Sequence, residues 1–133
     1  MNKIDKSFAN VLLYVESRYR VDRKRVRETV IATLKDNGVQ GPVEVSIALV
    51  GDRKMRELSQ KYKGEDKTRN ILSFSLSEGE PTVLPTDILR LGDVVISYPE
   101  VIREAVRDEV MVDDRVNELV EHGLLHLMGL HHE

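Results

Sequence analysis

The spacing of apolar residues changes several times along the chain, and each change predicts an element. Asn10 to Val15 (NVLLYV) has the β-branched and aromatic bias of a short strand. Asp22 is a good helix N-cap, and Val26, Val30, Ile31 and Leu34 then recur at helical spacing until Gly38. Val43 to Val50 (VEVSIALV) alternates and then turns fully apolar, the pattern of a strand partly buried on both faces. Asp52 is positioned to cap a second helix, with Met55, Leu58 and Tyr62 on one side. Lys63 to Arg69 is a charged turn around Gly64, and Asn70 to Phe74 reads as a strand. Ser75 to Leu89, with Gly79, Pro81 and Pro85 and no periodicity, reads as a loop. Leu91 to Ser97 is a further strand. Pro99 then opens a helix carrying Val101, Ile102, Ala105 and Val106. The last helix begins near Asp113 or Asp114 and stops at Gly129, its apolar face formed by Val116, Leu119, Val120, Gly123, Leu124 and Leu127. The order β-α-β-α-β-β-α-α predicts an α+β fold. A single domain over residues 1–133 would carry a mixed four-stranded sheet, about four helices packed on it, and histidines on the last helix.

Composition sharpens this picture at a few points. At 133 residues, 41% hydrophobic and 32% charged, the chain fits one domain able to bury roughly two-thirds of its unfolded surface. There is no Cys, which excludes disulfides, a thiol nucleophile and thiolate metal sites. The apolar run from Phe8 breaks at Glu16 without a small-residue cleavage site. No stretch approaches the roughly 18 apolar residues of a membrane span. The expectation is a cytoplasmic protein with no membrane association. Charge divides unevenly: residues 1–70 hold 16 Lys/Arg against 10 Asp/Glu, residues 71–133 hold 4 against 13. Two readings follow, either two solvated faces that attract each other or a basic surface for a polyanion.

All four histidines, His122, His126, His131 and His132, fall in the last twelve residues. His122 and His126 are four apart on a predicted helix, at the half-buried edge of its apolar stripe, so both imidazoles reach one side. Gly129 permits a sharp turn that returns His132 as a third ligand, with His131 as the competing choice. H-x-x-x-H-x-x-G-x-x-H supplies three imidazoles and an open position, the arrangement of a catalytic zinc site with one ion per chain. Zinc peptidases with this spacing place a general-base Glu directly after the first His; here that position is Gly123. Glu121 points roughly 100° away from His122 around the helix.

These residues extend to a wider resemblance. The segment His122-Gly-Leu-Leu-His126-Leu-Met-Gly129-Leu-His131-His132 resembles the signature H-G-x-L-H-L-x-G-Y-D-H of the YbeY family of bacterial rRNA maturation factors. Tyr62 to Phe74 (YKGEDKTRNILSF) is similar to that family's Y-R-G-x-D-x-x-T-[DN]-V-L-S-F, and Leu91 to Ser97 (LGDVVIS) to its L-G-D-I-x-I-S. The resemblance implies a metal-dependent, single-strand-specific endoribonuclease, usually a zinc enzyme. It implies action on small-subunit rRNA 3′ ends and in ribosome quality control, with RNA and the ribosome or small subunit as partners. By position, His122, His126 and His132 become the metal ligands, and Lys63 stands where the family has an Arg in its active-site cleft. The sequence departs from the pattern there, at Arg69 in place of Thr, and at Leu130 and His131 in place of Tyr and Asp.

On this reading Lys63 stabilises charge on the phosphate undergoing attack, and Asp93 is a candidate to orient a ligand or water. Arg23, Lys24, Arg25, Arg27, Arg53, Lys54 and Arg56 are candidates for the RNA track. With 4 Tyr, 2 Phe and no Trp, base stacking does not dominate recognition. Two other readings stand beside the nuclease: a non-catalytic, metal-stabilised RNA- or ribosome-binding factor, and a zinc peptidase. No P-loop, dinucleotide-binding glycine turn or G-x-S-x-G element is present.

Overall fold

The computed structural model describes residues 8–75 and 88–130. Its elements follow the predicted order: β1 (Ala9–Val15), α1 (Arg23–Asp36), β2 (Val43–Val50), α2 (Asp52–Lys63), β3 (Ile71–Ser75), β4 (Leu89–Ser97), α3 (Tyr98–Asp108) and α4 (Val112–Leu127). Most of the predicted loop, with Gly79, Pro81 and Pro85, lies outside the described residues, as do His131 and His132. The four strands form one mixed sheet in the order β1-β2-β4-β3. β1, β2 and β4 run parallel, and β3 is an antiparallel edge strand on β4.

Side-chain alternation sorts the helices between the two faces. Val43, Val45, Ile47 and Leu49 of β2 and Val94 and Ile96 of β4 point to one face. There they meet Val26, Val30 and Leu34 of α1, Val101 of α3, and Val116, Leu119, Val120, Leu124 and Leu127 of α4. The intervening positions Val50 and Val95 point to the other face, where Met55 of α2 and Leu72 of β3 close a smaller core. So α1, α3 and α4 share one face and α2 lies on the other. α2 packs over the β3–β4 side of the sheet, and Leu12 and Tyr14 of β1 are left 45% and 59% exposed.

Helix starts show where local rules were overridden. Asp22 caps α1 as predicted, accepting the Arg25 N–H at 3.0 Å. Asp52 does not cap α2: Gly51 holds the cap position and Asp52 is the first helical residue. The Asp52 carboxylate instead accepts from Arg103 Nη2 at 3.1 Å, Ser97 Oγ at 3.2 Å and Thr68 Oγ1 at 3.2 Å. A guanidinium and two hydroxyls from other segments are better partners than the helix's own amides. α4 likewise starts at Val112, one or two residues before the expected Asp113 or Asp114. Both aspartates fall in its first turn, where they complement the helix dipole. Asp113 also accepts the Asp22 N–H at 3.2 Å, and Asp114 pairs with Arg25 at 2.8 Å.

Partial burial pushes the Asp52 pKa up. The Arg103 bond and charge, with the Ser97 and Thr68 hydroxyls, outweigh it, and the carboxyl titrates below its ordinary value. The stabilisation this gives is therefore complete above the unfolded-state pKa and fades as pH falls through the lowered folded value. Asp52→Asn is expected to cost about 1 kcal/mol or less, given its exposure. In thermal denaturation the gap between wild type and Asp52→Asn should stay constant above about pH 4 and narrow below it.

Candidate metal centre

α4 docks on the sheet through the face running from Val116 through Leu119, Val120, Gly123 and Leu124 to Leu127. The approach is closest at Gly123. A Cβ there would lie 2.7 Å from Val94 Cγ1 and 3.0 Å from Ile71 Cδ1, so the helix backbone rests directly on β4 and β3. The peptidase base position is therefore turned into the sheet, with no room for a glutamate.

His122 and His126 occupy successive turns on the flank of α4, their ring centres 5.3 Å apart and their planes tilted by 45°. Both are exposed, where a half-buried edge was expected. The reason is that the glycine contact draws the 119–123–127 line into the core and leaves this flank outside. Two imidazoles bound to one tetrahedral ion through bonds of roughly 2.0–2.1 Å have ring centres roughly 5 Å apart, so the pair already fits such an ion. Among the described residues no third His, Asp or Glu joins them in a potential metal cluster. His132 and His131, the two candidates for the third position, lie outside those residues. Asp93 is paired in register with Phe74 and shares the strand face of Val95, away from α4, so it does not orient a ligand of this pair.

Lys63 ends α2, exposed, just before Gly64, which terminates the helix in the left-handed conformation at φ +68°. The neighbouring Tyr62 ring packs on Phe74 at 4.8 Å, and Ser75 Oγ donates to the Leu127 carbonyl at 3.4 Å. Tyr62 and Leu127, the chain neighbours of Lys63 and His126, thus reach the same end of β3 from opposite faces of the sheet.

The basic residues of the first half do not form one track. Arg23 to Arg27 lie on α1 and Arg53 to Arg56 on α2, across the sheet from each other, and Arg25 is engaged by Asp114. The ion pairs between the two halves of the chain run both ways: Arg25–Asp114 follows the charge imbalance, whereas Arg103–Asp52 and Arg90–Glu44 oppose it. The cleft between α1 and α4 beside His122 is acidic, lined by Asp114, Glu118 and Glu121. On the β3 side His122 borders a smaller cleft, about 260 Å³, with Asn70, Ile71, Arg115, Glu118 and Leu119. Sequence reasoning missed this second wall. Asn70, Glu104 and Arg115 belong to three separate segments, and their joining is signalled by no spacing along the chain.

The family model described as Endoribonuclease YbeY matches residues 14–133. This chain belongs to the YbeY endoribonuclease family. The Endoribonuclease YbeY of Syntrophus aciditrophicus is 35% identical over 127 residues, covering 96% of this chain and 78% of that protein. The YbeY of Roseiflexus castenholzii is 38% identical over 114 residues, 85% of this chain and 72% of its own. The solution structure of TM1509 from Thermotoga maritima superposes with a TM-score of 0.61 at 24% identity, covering 93% of this chain and 75% of the other, and shares the fold. Within this chain, Gly123 sets how closely the histidine helix sits.

Gly123→Ala should test that contact. Alanine gains about 1 kcal/mol of helix propensity, but its methyl meets the branched, stiff Val94 side chain and forces α4 outward. A net loss of roughly 1–2 kcal/mol in denaturant unfolding is expected. The double variant Gly123→Ala with Val94→Ala should recover part of it relative to Val94→Ala alone.

Proposed function

We propose that this protein is a zinc-dependent endoribonuclease that cuts single-stranded RNA, with His122, His126 and His132 holding one ion. The observation that carries the reading is the paired, outward-facing imidazoles on α4 of a YbeY-family chain. The RNA-cleaving activity is that named for its relatives. When bound, a zinc ion supplies Lewis acidity toward a phosphate oxygen and toward the attacking oxygen.

The chain's own residues do the remainder. The two α4 imidazoles are held in one orientation because their helix is locked on the sheet at Gly123 and Leu127. The Lys63 ammonium, at the C-terminal end of α2, offsets negative charge that grows on the phosphate. It does so as a point charge, without the two-pronged geometry of the family's arginine. No carboxylate follows His122, consistent with phosphodiester rather than peptide hydrolysis. The biological role we assign is maturation of ribosomal RNA, at the small-subunit 3′ end, and ribosome quality control.

Plasma mass spectrometry of the untagged protein should find about one zinc per chain, lost in His126→Ala. Cleavage of a single-stranded RNA should require the metal and fall by more than 100-fold, on the order expected for losing the main electrostatic element, in that variant. Lys63→Ala should lower kcat on the order of 100-fold, with Lys63→Arg active. RNA binding without any metal-dependent cleavage would replace the enzyme with a non-catalytic RNA-binding factor. Metal-dependent cleavage of casein in place of RNA would mean a peptidase.

A further inference from the structure

The cleft on the β3 side of His122 is backed by a half-buried polar network. The Glu104 side chain, 13% exposed, accepts Arg115 Nε at 2.8 Å and Arg115 Nη2 at 2.7 Å through Oε1. Its Oε2 accepts Asn70 Nδ2 at 3.1 Å. The Asn70 backbone is fixed as well, its carbonyl accepting the Ser97 N–H at 2.9 Å. An ionised carboxylate only accepts hydrogen bonds, so Asn70 must turn its amide nitrogen to Glu104. That leaves Oδ1 as the free face of the amide, and no donor among the described residues reaches it. Asn70 lines the His122 cleft and bonds Glu104, which does not line it.

We infer that Asn70 is a specificity-determining residue, whose Oδ1 accepts the 2′-hydroxyl of the ribose next to the scissile phosphate. The inference rests on the nuclease reading above and deepens it. The cleft is lined by apolar Ile71 and Leu119, suited to the carbons of a sugar, and by Arg115 and Glu118, which pair at 3.6 Å. Apart from the His122 imidazole itself, no aromatic ring among the described residues lines the cleft. A phosphate brought to the histidines carries its 2′-hydroxyl one carbon away from the bridging 3′ oxygen, at the range of the cleft rather than of the bases. That hydroxyl is the group by which a protein tells RNA from DNA. Glu104 and Arg115 act as positioning residues, because they fix which end of the amide faces the ligand.

The test is binding of single-stranded RNA oligonucleotides by fluorescence anisotropy to the metal-loaded protein, in the cold and over a time in which gels show the probe intact. One probe is all-ribose, and a set of probes carries a single 2′-deoxy residue walked along the strand. Wild type should bind one deoxy-substituted probe roughly five- to tenfold more weakly than all-ribose RNA, the scale of one hydrogen bond. Asn70→Ala should bind the all-ribose probe weaker by the same factor and become indifferent to that deoxy position. Glu104→Gln, which lets the amide face either way, should reduce discrimination while keeping Asn70 in the cleft. This variant answers the question if Asn70→Ala does not fold. Equal weakening of ribose and deoxy probes by Asn70→Ala, or no deoxy-sensitive position in wild type, overturns the assignment. Metal-dependent cleavage of all-ribose RNA, measured separately on wild type, shows whether the nuclease reading itself stands.

Discussion

The contact between the α4 backbone at Gly123 and the side chains of Val94 and Ile71 governs how the rest of the site is arranged. A helix carrying a Cβ there would have to ride further from the sheet, and the line from Val116 to Leu127 would no longer fill the larger core. Because the helix sits so close, its rotation is fixed. Leu124, on one side of Gly123, is driven inward, and His122, on the other, is driven out. One turn later Leu127 packs near Gly92 of β4, and its carbonyl takes the Ser75 hydroxyl, which ties the end of α4 to the end of β3. Core packing and orientation of the imidazoles are therefore one event. The histidines are exposed chemically but not loose mechanically.

Charge has a more local part than the composition suggests. The basic and acidic halves do not assemble into two opposed faces, since the sheet separates α1 from α2 and salt bridges between the halves run in both directions. What charge does is choose partners for particular buried or half-buried carboxylates. Asp52 gives up a local capping role for a guanidinium and two hydroxyls, and Glu104 gathers α3, α4 and the start of β3 around one side chain. The more exposed of these pairs, Arg103–Asp52, adds little stability singly. The effect of both is to fix segments against one another where the hydrophobic core is thin. A polyanion reaching the histidines meets three carboxylates and Arg25 on the α1 side, and Asn70, Arg115 and Glu118 on the β3 side. The approach to the site is thus set by side chains that no stretch of sequence brings together.

Most of the fold was legible because its signals are local. The alternation in Val43 to Val50 and the helical recurrence of Val26, Val30 and Leu34 follow from backbone geometry alone, and the element order survived intact. The histidine pair was legible for the same reason, since a spacing of four puts two side chains on adjacent turns of any helix. Asp22 kept its cap for want of a stronger competitor, whereas Asp52 lost its cap to donors 16, 45 and 51 residues away.

The sequence by itself determined the elements, their order, the membership of α4's apolar face and the pairing of His122 with His126, all of which depend on neighbours within a turn or two. Tertiary structure decided what depends on the sheet. It set the split of α1 and α2 to opposite faces and the exposure of the imidazoles. It set Tyr62, the neighbour of Lys63, on Phe74 at the end of β3 where Ser75 meets Leu127, and it placed Asn70 and Arg115 in the cleft beside His122, both bonded to Glu104. The physical reason is that periodicity encodes which side of an element is apolar. How closely two elements approach, and which distant polar group wins a carboxylate, are fixed only when every chain segment competes for the same space and the same hydrogen bonds.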